Sequence, residues 1–208
     1  MPYNITKATT DHIPGILEVW ISAFSDITAF FPHSPTGDEW LLSSFHFSMT
    51  EPSQNTVYYV MTDDASSAPE DRGEGKVLGF AKWTIHPGGK PLPDWRERWE
   101  KDFPADMSSQ LLGSFFDPMA RQHDAVVGDR PHYFLETLAT IKKYWKRGLG
   151  SSLLQWGNDE ADKAGWECYL DAAPTAKHLY EMHGYAEQTD KKDPNSPAVP
   201  MLRTPNKQ

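Results

Sequence analysis

Between Lys142 and Ser152 the chain reads KKYWKRGLGSS. Lys142, Lys143, Lys146 and Arg147 place four positive charges within six residues, and Gly148 and Gly150 follow one residue apart. Glycine lets a backbone bend tightly and lets a ligand approach without a Cβ in the way. The apolar spacing that comes next, through Leu149, Leu153, Trp156, Gly157 and Ala164, predicts a helix from about Gly148 to Gly165. The first turn of such a helix exposes unpaired N–H groups at the positive end of its dipole, a setting that suits phosphate. The chemistry these residues point to is the binding of an anion carrying a diphosphate. The turn is not a P-loop, because no G-x-x-x-x-G-K-[ST] occurs, and no third glycine follows at dinucleotide-binding spacing. On these residues alone, the alternative is a helix start with a solvated basic face.

The basic cluster stands out against an acidic background. The 208 residues carry 29 Asp and Glu against 20 Lys and Arg, a formal net charge of −9. That balance argues against nucleic acid or an anionic membrane as the general partner. Cys168 is the single cysteine, so an intramolecular disulfide and a cysteine-rich metal site are both excluded, and its apolar strand predicts a buried, inert thiol. His123-Asp124 is too sparse for a metal site, and no metal is expected. No window approaches the roughly 20 apolar residues needed to span a bilayer. The opening MPYNITKATTDHIPG has no basic segment leading into an apolar one. The expectation is a cytoplasmic protein with no membrane partner.

The elements that must position the turn can be read from periodicity. Tyr3 to Ala8 reads as a strand, and Ile13, Ile16, Leu17, Trp20, Ile21 and Phe24 define a helix capped by Thr10 or Asp11. A second helix is predicted from Asp38 to about Met49. VYYVM (57–61) and VLGFAKWTI (77–85) read as paired strands joined by a polar loop from Thr62 to Lys76, with Gly79 marking a bulge or a close backbone approach. From His86 to Arg130 the pattern is irregular, with a helix from about Ser108 to Arg121, and such length points to a lid or substrate wall. Trp83, Trp95 and Trp99 are candidates to line a pocket, or else core. HYFLETLAT (132–140) is a strand, and Trp166 to Leu170 is another. Thr175 to His183 is a short helix ending at Gly184, followed by weak strands near Tyr185 to Gln188 and Val199 to Arg203.

Two blocks now take on a more specific meaning. L-A-T-x-x-x-x-W-K-R-G-L-G-S-S-L-L resembles the acyl-CoA-binding motif of the GNAT superfamily of N-acetyltransferases. Y-L-D-A-A-P-T-A-K-H-L-Y-E-M-H-G-Y, from Tyr169 to Tyr185, resembles the family's next motif. Both stand in the family's order and spacing. Trp145 takes the place of the usual Gln or Arg, and Ala172, Ala173 and Pro174 occupy the region where the family carries Asn.

The resemblance implies a single α/β domain over residues 1–208, with a mixed, mostly antiparallel central sheet flanked by helices. It would carry a long insert between the third and fourth strands (about 86–130) and a CoA-binding core at about 133–188. Acetyl-CoA would be the co-substrate. Leu138, Ala139 and Thr140 would run along the pantetheine, Leu138 and Thr140 through backbone hydrogen bonds. Arg147, Gly148, Leu149, Gly150, Ser151 and Ser152 would offer N–H groups to the pyrophosphate, with charge added by Lys146. In the family, the amine attacks the thioester directly. Tyr180, at the L-Y of the second block, would protonate the leaving sulfur, and Glu136 would be the base, placed by strand alternation on the face of Leu138 and Thr140. His123, Asp124 and His132 are further candidates. The implied acceptor is a small-molecule amine, ahead of a peptide or protein amine, and a homodimer is possible. The alternative is a catalytically inactive acyl-CoA-binding or regulatory module on the same fold.

Overall fold

A computed structural model describes residues 3–63, 76–90, 92–99 and 103–206. Seven strands form one sheet: Tyr3–Lys7 (β1), Thr56–Asp63 (β2), Val77–His86 (β3), His132–Thr140 (β4), Glu167–Ala172 (β5), Ala186–Glu187 (β6) and Val199–Arg203 (β7). Their spatial order is β1-β2-β3-β4-β5-β7-β6, and only the β4–β5 pair is parallel. Ile13–Ala23 (α1), Pro35–Thr50 (α2) and Ser109–Val126 (α3) cover one face, while Leu149–Ala164 (α4) and Lys177–Glu181 (α5) cover the other. With both faces covered, β2 and β3 are buried almost throughout, which is why their sequences read as continuous apolar runs. Among the described residues no helix is long and apolar enough to cross a membrane.

On the α4 face, Trp83, Leu135, Leu149, Leu153, Leu154 and Leu170 form the centre of the core. A Cβ at Gly157 would come within 2.2 Å of the Trp83 ring, so this glycine lets α4 lie directly on the indole. Trp83 is therefore core, not pocket wall. On the opposite face, Ile16, Val19, Trp40, Leu41, Phe45, Tyr58 and Phe80 pack together.

Element boundaries move where local chemistry outweighs periodicity. α2 begins at Pro35, ahead of the expected Asp38, because Ser34 Oγ accepts the Gly37 N–H and Pro35 sits where no N–H is needed. α3 runs on to Val126, past the expected Arg121, since Gln122, His123 and Val126 are buried against the sheet. α5 is shorter than the expected Thr175–His183. Gly79 shows both expected features: the β2–β3 register shifts beside it, and a Cβ there would meet Thr140 Cγ2 at 2.8 Å. Of the expected loop, residues 64–75 lie outside the described residues; Thr62 and Asp63 complete β2.

Two departures from a regular sheet locate the site. β4 and β5 pair only from His132–Glu167 to Leu135–Leu170, whereas β4 continues along β3 as far as Thr140 opposite Gly79. The two parallel strands thus separate after Leu135. In addition, the β3–β4 register places Trp83 opposite Leu135 but Lys82 opposite Thr137, so Glu136 is the extra residue of a β-bulge. The bulge breaks alternation. Glu136 pairs with Lys82 on the α1–α2 face, while Leu138 packs into the α4 core, so the placement of Glu136 on the same face as Leu138 is corrected.

Candidate active site

The turn after β4 leads into α4 over the opening between β4 and β5. Gly148 adopts φ 84, a left-handed conformation that glycine takes without strain, and precedes the first helical residue. The first α4 bond runs from Ser152 N–H to the Gly148 carbonyl, so the N–H groups of Leu149, Gly150 and Ser151 have no intrahelical acceptor. A Cβ at Gly150 would make only ordinary contacts, 3.6 Å from Leu179 and 3.9 Å from Leu138. The glycine thus keeps open the spot where β4, the turn and α5 converge. Lys143, Lys146 and Arg147 are exposed and pair with no carboxylate among the described residues, while Lys142 Nζ is engaged by Asp26 at 3.1 Å. Lys146 itself sits at φ 62. Trp145 is half exposed, and its indole N–H donates to the Thr140 carbonyl at 3.0 Å. Ala139 is buried toward α1 and α2, leaving only its backbone to this side.

Tyr180, on α5, is buried on the α4 side with its ring 5.9 Å from that of Tyr185. Burial raises its hydroxyl to about 12, so it is protonated at neutral pH and can donate. Cys168 is fully buried, and burial pushes its thiol up to about 11.

Across the sheet lies a chamber of about 400 Å³. α1 contributes Trp20 and the residue capping its end, Phe24, the β3–β4 connection contributes Trp95, Arg98 and Trp99, and α3 contributes Phe115, Phe116 and His123. Its floor is β4, with Phe134, Glu136 and Thr137, and the end of β5, with Asp171. The sequence's irregular stretch is therefore a wall of this chamber. Of the three tryptophans considered, Trp95 and Trp99 line it.

The two carboxylates of the chamber have opposite surroundings. Glu136 Oε2 lies 2.9 Å from Lys82 Nζ, and its Oε1 accepts from Arg98 Nη1 at 2.8 Å and from the Thr84 hydroxyl. Burial opposes ionisation here, yet the two cations hold the carboxyl far below its ordinary range. Burial alone would push Lys82 down, but Glu136 beside it keeps the ammonium above its ordinary value. Among the described residues, Asp171 has no cation in contact. Its Oδ1 accepts from the Tyr169 hydroxyl at 2.8 Å and from the Gln122 amide. Burial pushes it up to about 7.

His123 and His132, named from the sequence, are joined by a 2.9 Å contact between their Nε2 atoms. His132 Nδ1 lies 2.7 Å from the Arg130 carbonyl and must donate to it, so His132 Nε2 accepts and His123 Nε2 carries the proton. Burial, then His132, keeps His123 well below its ordinary value, and burial lowers His132 to about 4. Both rings are neutral at physiological pH. Asp124, the remaining candidate, is exposed on α3.

Sequence reading passed over Asp171, Lys82 and Arg98. Asp171 stands inside the apolar ECYLDA strand and Lys82 inside VLGFAKWTI. An ionisable residue within a strand buried on both faces is the signal that marks both.

A family model described as the acetyltransferase (GNAT) family matches residues 27–185. No curated protein matches. Among solved structures, the chain is similar to mosquito arylalkylamine N-acetyltransferase like 5b, at 16% identity and a TM-score of 0.62 over 97% of this chain and 99% of that one. A Corynebacterium glutamicum structure described as histone acetyltransferase HPA2 and related acetyltransferase aligns at 21% identity and a TM-score of 0.59, over 100% and 99%. The Escherichia coli GNAT family N-acetyltransferase YhbS, solved in complex with CoA, aligns at 16% identity and a TM-score of 0.55, over 98% and 82%.

Proposed function

The chain belongs to the GNAT acetyltransferase family, and from that premise we propose that it moves an acetyl group from acetyl-CoA to a primary amine by direct attack on the thioester. The observation that carries this reading is the separation of β4 from β5 after Leu135, with the free N–H groups of the α4 start directly beyond it, beside three cations that have no carboxylate partner among the described residues. A diphosphate suits the amides of Gly148, Leu149, Gly150 and Ser151, with Lys146 and Arg147 beside them, whereas the Ser152 N–H expected there is already given to the Gly148 carbonyl. The unpaired edge of β4 from Leu138 through Ala139 to Thr140 suits the amides of pantetheine.

In this reading the acceptor nitrogen attacks the thioester carbonyl from the chamber side, and Tyr180 gives its proton to the departing sulfur. A hydroxyl held near 12 is a weak acid, matched to a thiolate that needs a proton only as it forms. Glu136, already tied to Lys82 and Arg98, has too little proton affinity to serve as the base. It fixes those two cations at the chamber floor instead.

The test is thiol release from acetyl-CoA across a library of amines, alongside Gly150→Glu. That variant should fold normally and lose CoA binding in calorimetry, because bulk and negative charge enter the diphosphate site. Undiminished CoA affinity would defeat the assignment. A non-catalytic CoA-binding module is the second reading, favoured by Trp145, whose indole takes the Thr140 carbonyl. Silence across the library with CoA still bound would select it.

A further inference from the structure

We propose that Asp171 takes the proton from the acceptor's ammonium, and that the chamber leading to it admits an amine with a single charge and an apolar, ring-sized body. The proposal rests on the acetyltransferase reading above and concerns the half of the site that reading leaves open.

Geometry narrows the proton acceptor. Both oxygens of Glu136 are occupied, by Lys82 on one and by Arg98 and Thr84 on the other. The His123 ring is stacked on Tyr169, with centroids 4.3 Å apart, and burial keeps its proton affinity well below the ordinary imidazole value. Asp171 differs from both. Its two donors, Tyr169 and Gln122, converge on Oδ1, and among the described residues Oδ2 accepts no protein hydrogen bond. Oδ2 is therefore the carboxylate oxygen left for an ammonium. The groups facing Asp171 are Gln122 and His123 from α3, Arg98 from the β3–β4 connection, Glu136 from β4 and Tyr169 from its own strand. β7 places Pro200 opposite it, and β7's Arg203 is paired with Asp162. With its carboxyl raised to about 7, Asp171 can accept a proton at neutral pH and pass it on.

The walls narrow the substrate. Trp20, Phe31, Trp99 and Phe116 form a continuous aromatic surface, with Trp20–Phe31 at 5.4 Å, Phe31–Trp99 at 5.6 Å and Phe31–Phe116 at 6.2 Å between centroids. A volume of about 400 Å³ fits a small molecule rather than a folded protein surface. Beyond Asp171, the described residues of the chamber include no second carboxylate with a free oxygen, so the second ammonium of a diamine would be buried without a counter-charge among them. An amino acid as small as alanine would leave most of the aromatic surface without a contact.

The proton balance closes. The ammonium gives one proton to Asp171, which passes it to solvent, and the freed lone pair forms the C–N bond. As the C–S bond breaks, the sulfur takes a proton from Tyr180, which recovers one from the nitrogen of the new amide.

The experiment measures kcat/KM against pH with 2-phenylethylamine, putrescine and alanine, on the intact chain and on Asp171→Asn and Tyr169→Phe. In the unaltered protein an acidic limb near pH 7 is expected. Asp171→Asn should lose the limb and fall by about 100-fold or more, with CoA affinity unchanged. Tyr169→Phe, nearly isosteric, removes a donor that favours the ionised carboxyl, so its limb should move to higher pH; it stands as the test if Asp171→Asn does not fold. A limb unmoved in either variant overturns the role of Asp171. Phenylethylamine should exceed putrescine and alanine by about 10-fold or more, on the scale of one well-filled apolar pocket. Turnover confined to putrescine or alanine overturns the substrate class alone. No thiol release from any amine, with CoA bound, overturns the acetyltransferase reading and this proposal with it.

Discussion

Replacing Glu136 by Gln separates charge from shape at the chamber floor. The amide keeps the volume and one acceptor oxygen but leaves Lys82 and Arg98 facing each other without a counter-charge. Each ion pair, at 2.9 and 2.8 Å, is worth about 6 kcal/mol in gross Coulomb energy at an effective dielectric near 20. Desolvation of three buried groups offsets much of this. Removing one member of a buried ionic cluster nevertheless costs about 3–5 kcal/mol, because the remaining charges stay buried. For a chain of this size that loss corresponds to a Tm lower by about 6–20 °C. Urea unfolding at pH 7, followed by far-UV circular dichroism, should show a lower midpoint with an unchanged slope. The difference should also depend on pH in a definite direction. The carboxyl is depressed in the folded state, so its contribution is present above the ordinary carboxylate range and fades as pH falls below about 4.5. The unaltered protein and the variant should therefore converge in acid. A loss below about 1 kcal/mol at pH 7 would mean that the cluster behaves as a screened surface pair, and the reasoning would fail. If Glu136 were the base, its replacement would also remove the acidic limb of kcat/KM; the limb near pH 7 should remain.

Three further outcomes follow from particular contacts. Tyr180→Phe should lower kcat by about 100-fold or more while leaving CoA affinity within about twofold, read by thiol release and calorimetry; equal turnover would remove Tyr180 from the mechanism. Gly157→Ala should destabilise by about 1–3 kcal/mol despite alanine's better helix propensity, because its methyl meets the Trp83 ring at 2.2 Å; a neutral or stabilising result in chemical denaturation would contradict the packing of α4 on Trp83. Asp171→Asn should gain stability relative to the unaltered chain as pH rises. The folded carboxyl holds its proton to about 7 while the unfolded one releases it near 3.8, a difference equivalent to about 4 kcal/mol at most. The variant's advantage should be absent below pH 4 and complete above pH 8, and a pH-independent difference in Tm would refute it.

The order of strands and helices was legible because each element carries a strong local signal. α4 has its glycine start, its one-sided apolar stripe and Gly165 at its end in a left-handed conformation. β2 and β3 announce themselves by β-branched and aromatic density. The bulge at Glu136 was not legible, and the side-chain period of two failed there. A bulge is a property of two strands in register, and nothing in HYFLETLAT marks the residue that β3 leaves unmatched. The aromatic chamber was illegible for a related reason. Trp20, Phe31, Trp99 and Phe116 come from four separate stretches, and each alone reads as ordinary core. The glycine turn needed no tertiary partner to be seen, since its chemistry resides in its own backbone.

The same distinction explains why the two carboxylates invite opposite assignments in sequence and in structure. From sequence, Glu136 lies beside the recognised motif and Asp171 is one letter in a hydrophobic strand. Their proton affinities, however, are set by partners remote in the chain. Lys82 and Arg98 stand 54 and 38 residues before Glu136, and they hold its charge permanently. Gln122 stands 49 residues before Asp171, and with Tyr169 it offers only neutral donors. Burial then raises one carboxyl while paired cations depress the other, within a single chamber. Two acids driven apart in this way divide the labour: the one near 7 can exchange a proton at neutral pH, and the one kept ionised supplies a fixed charge. A reversal of either cation, such as Arg98→Glu, would add a charge that both carboxylates sense. The acidic limb assigned to Asp171 would then shift upward through the like charge, without any direct contact of Asp171 being altered. A limb that stayed in place would mean that the proton acceptor lies elsewhere.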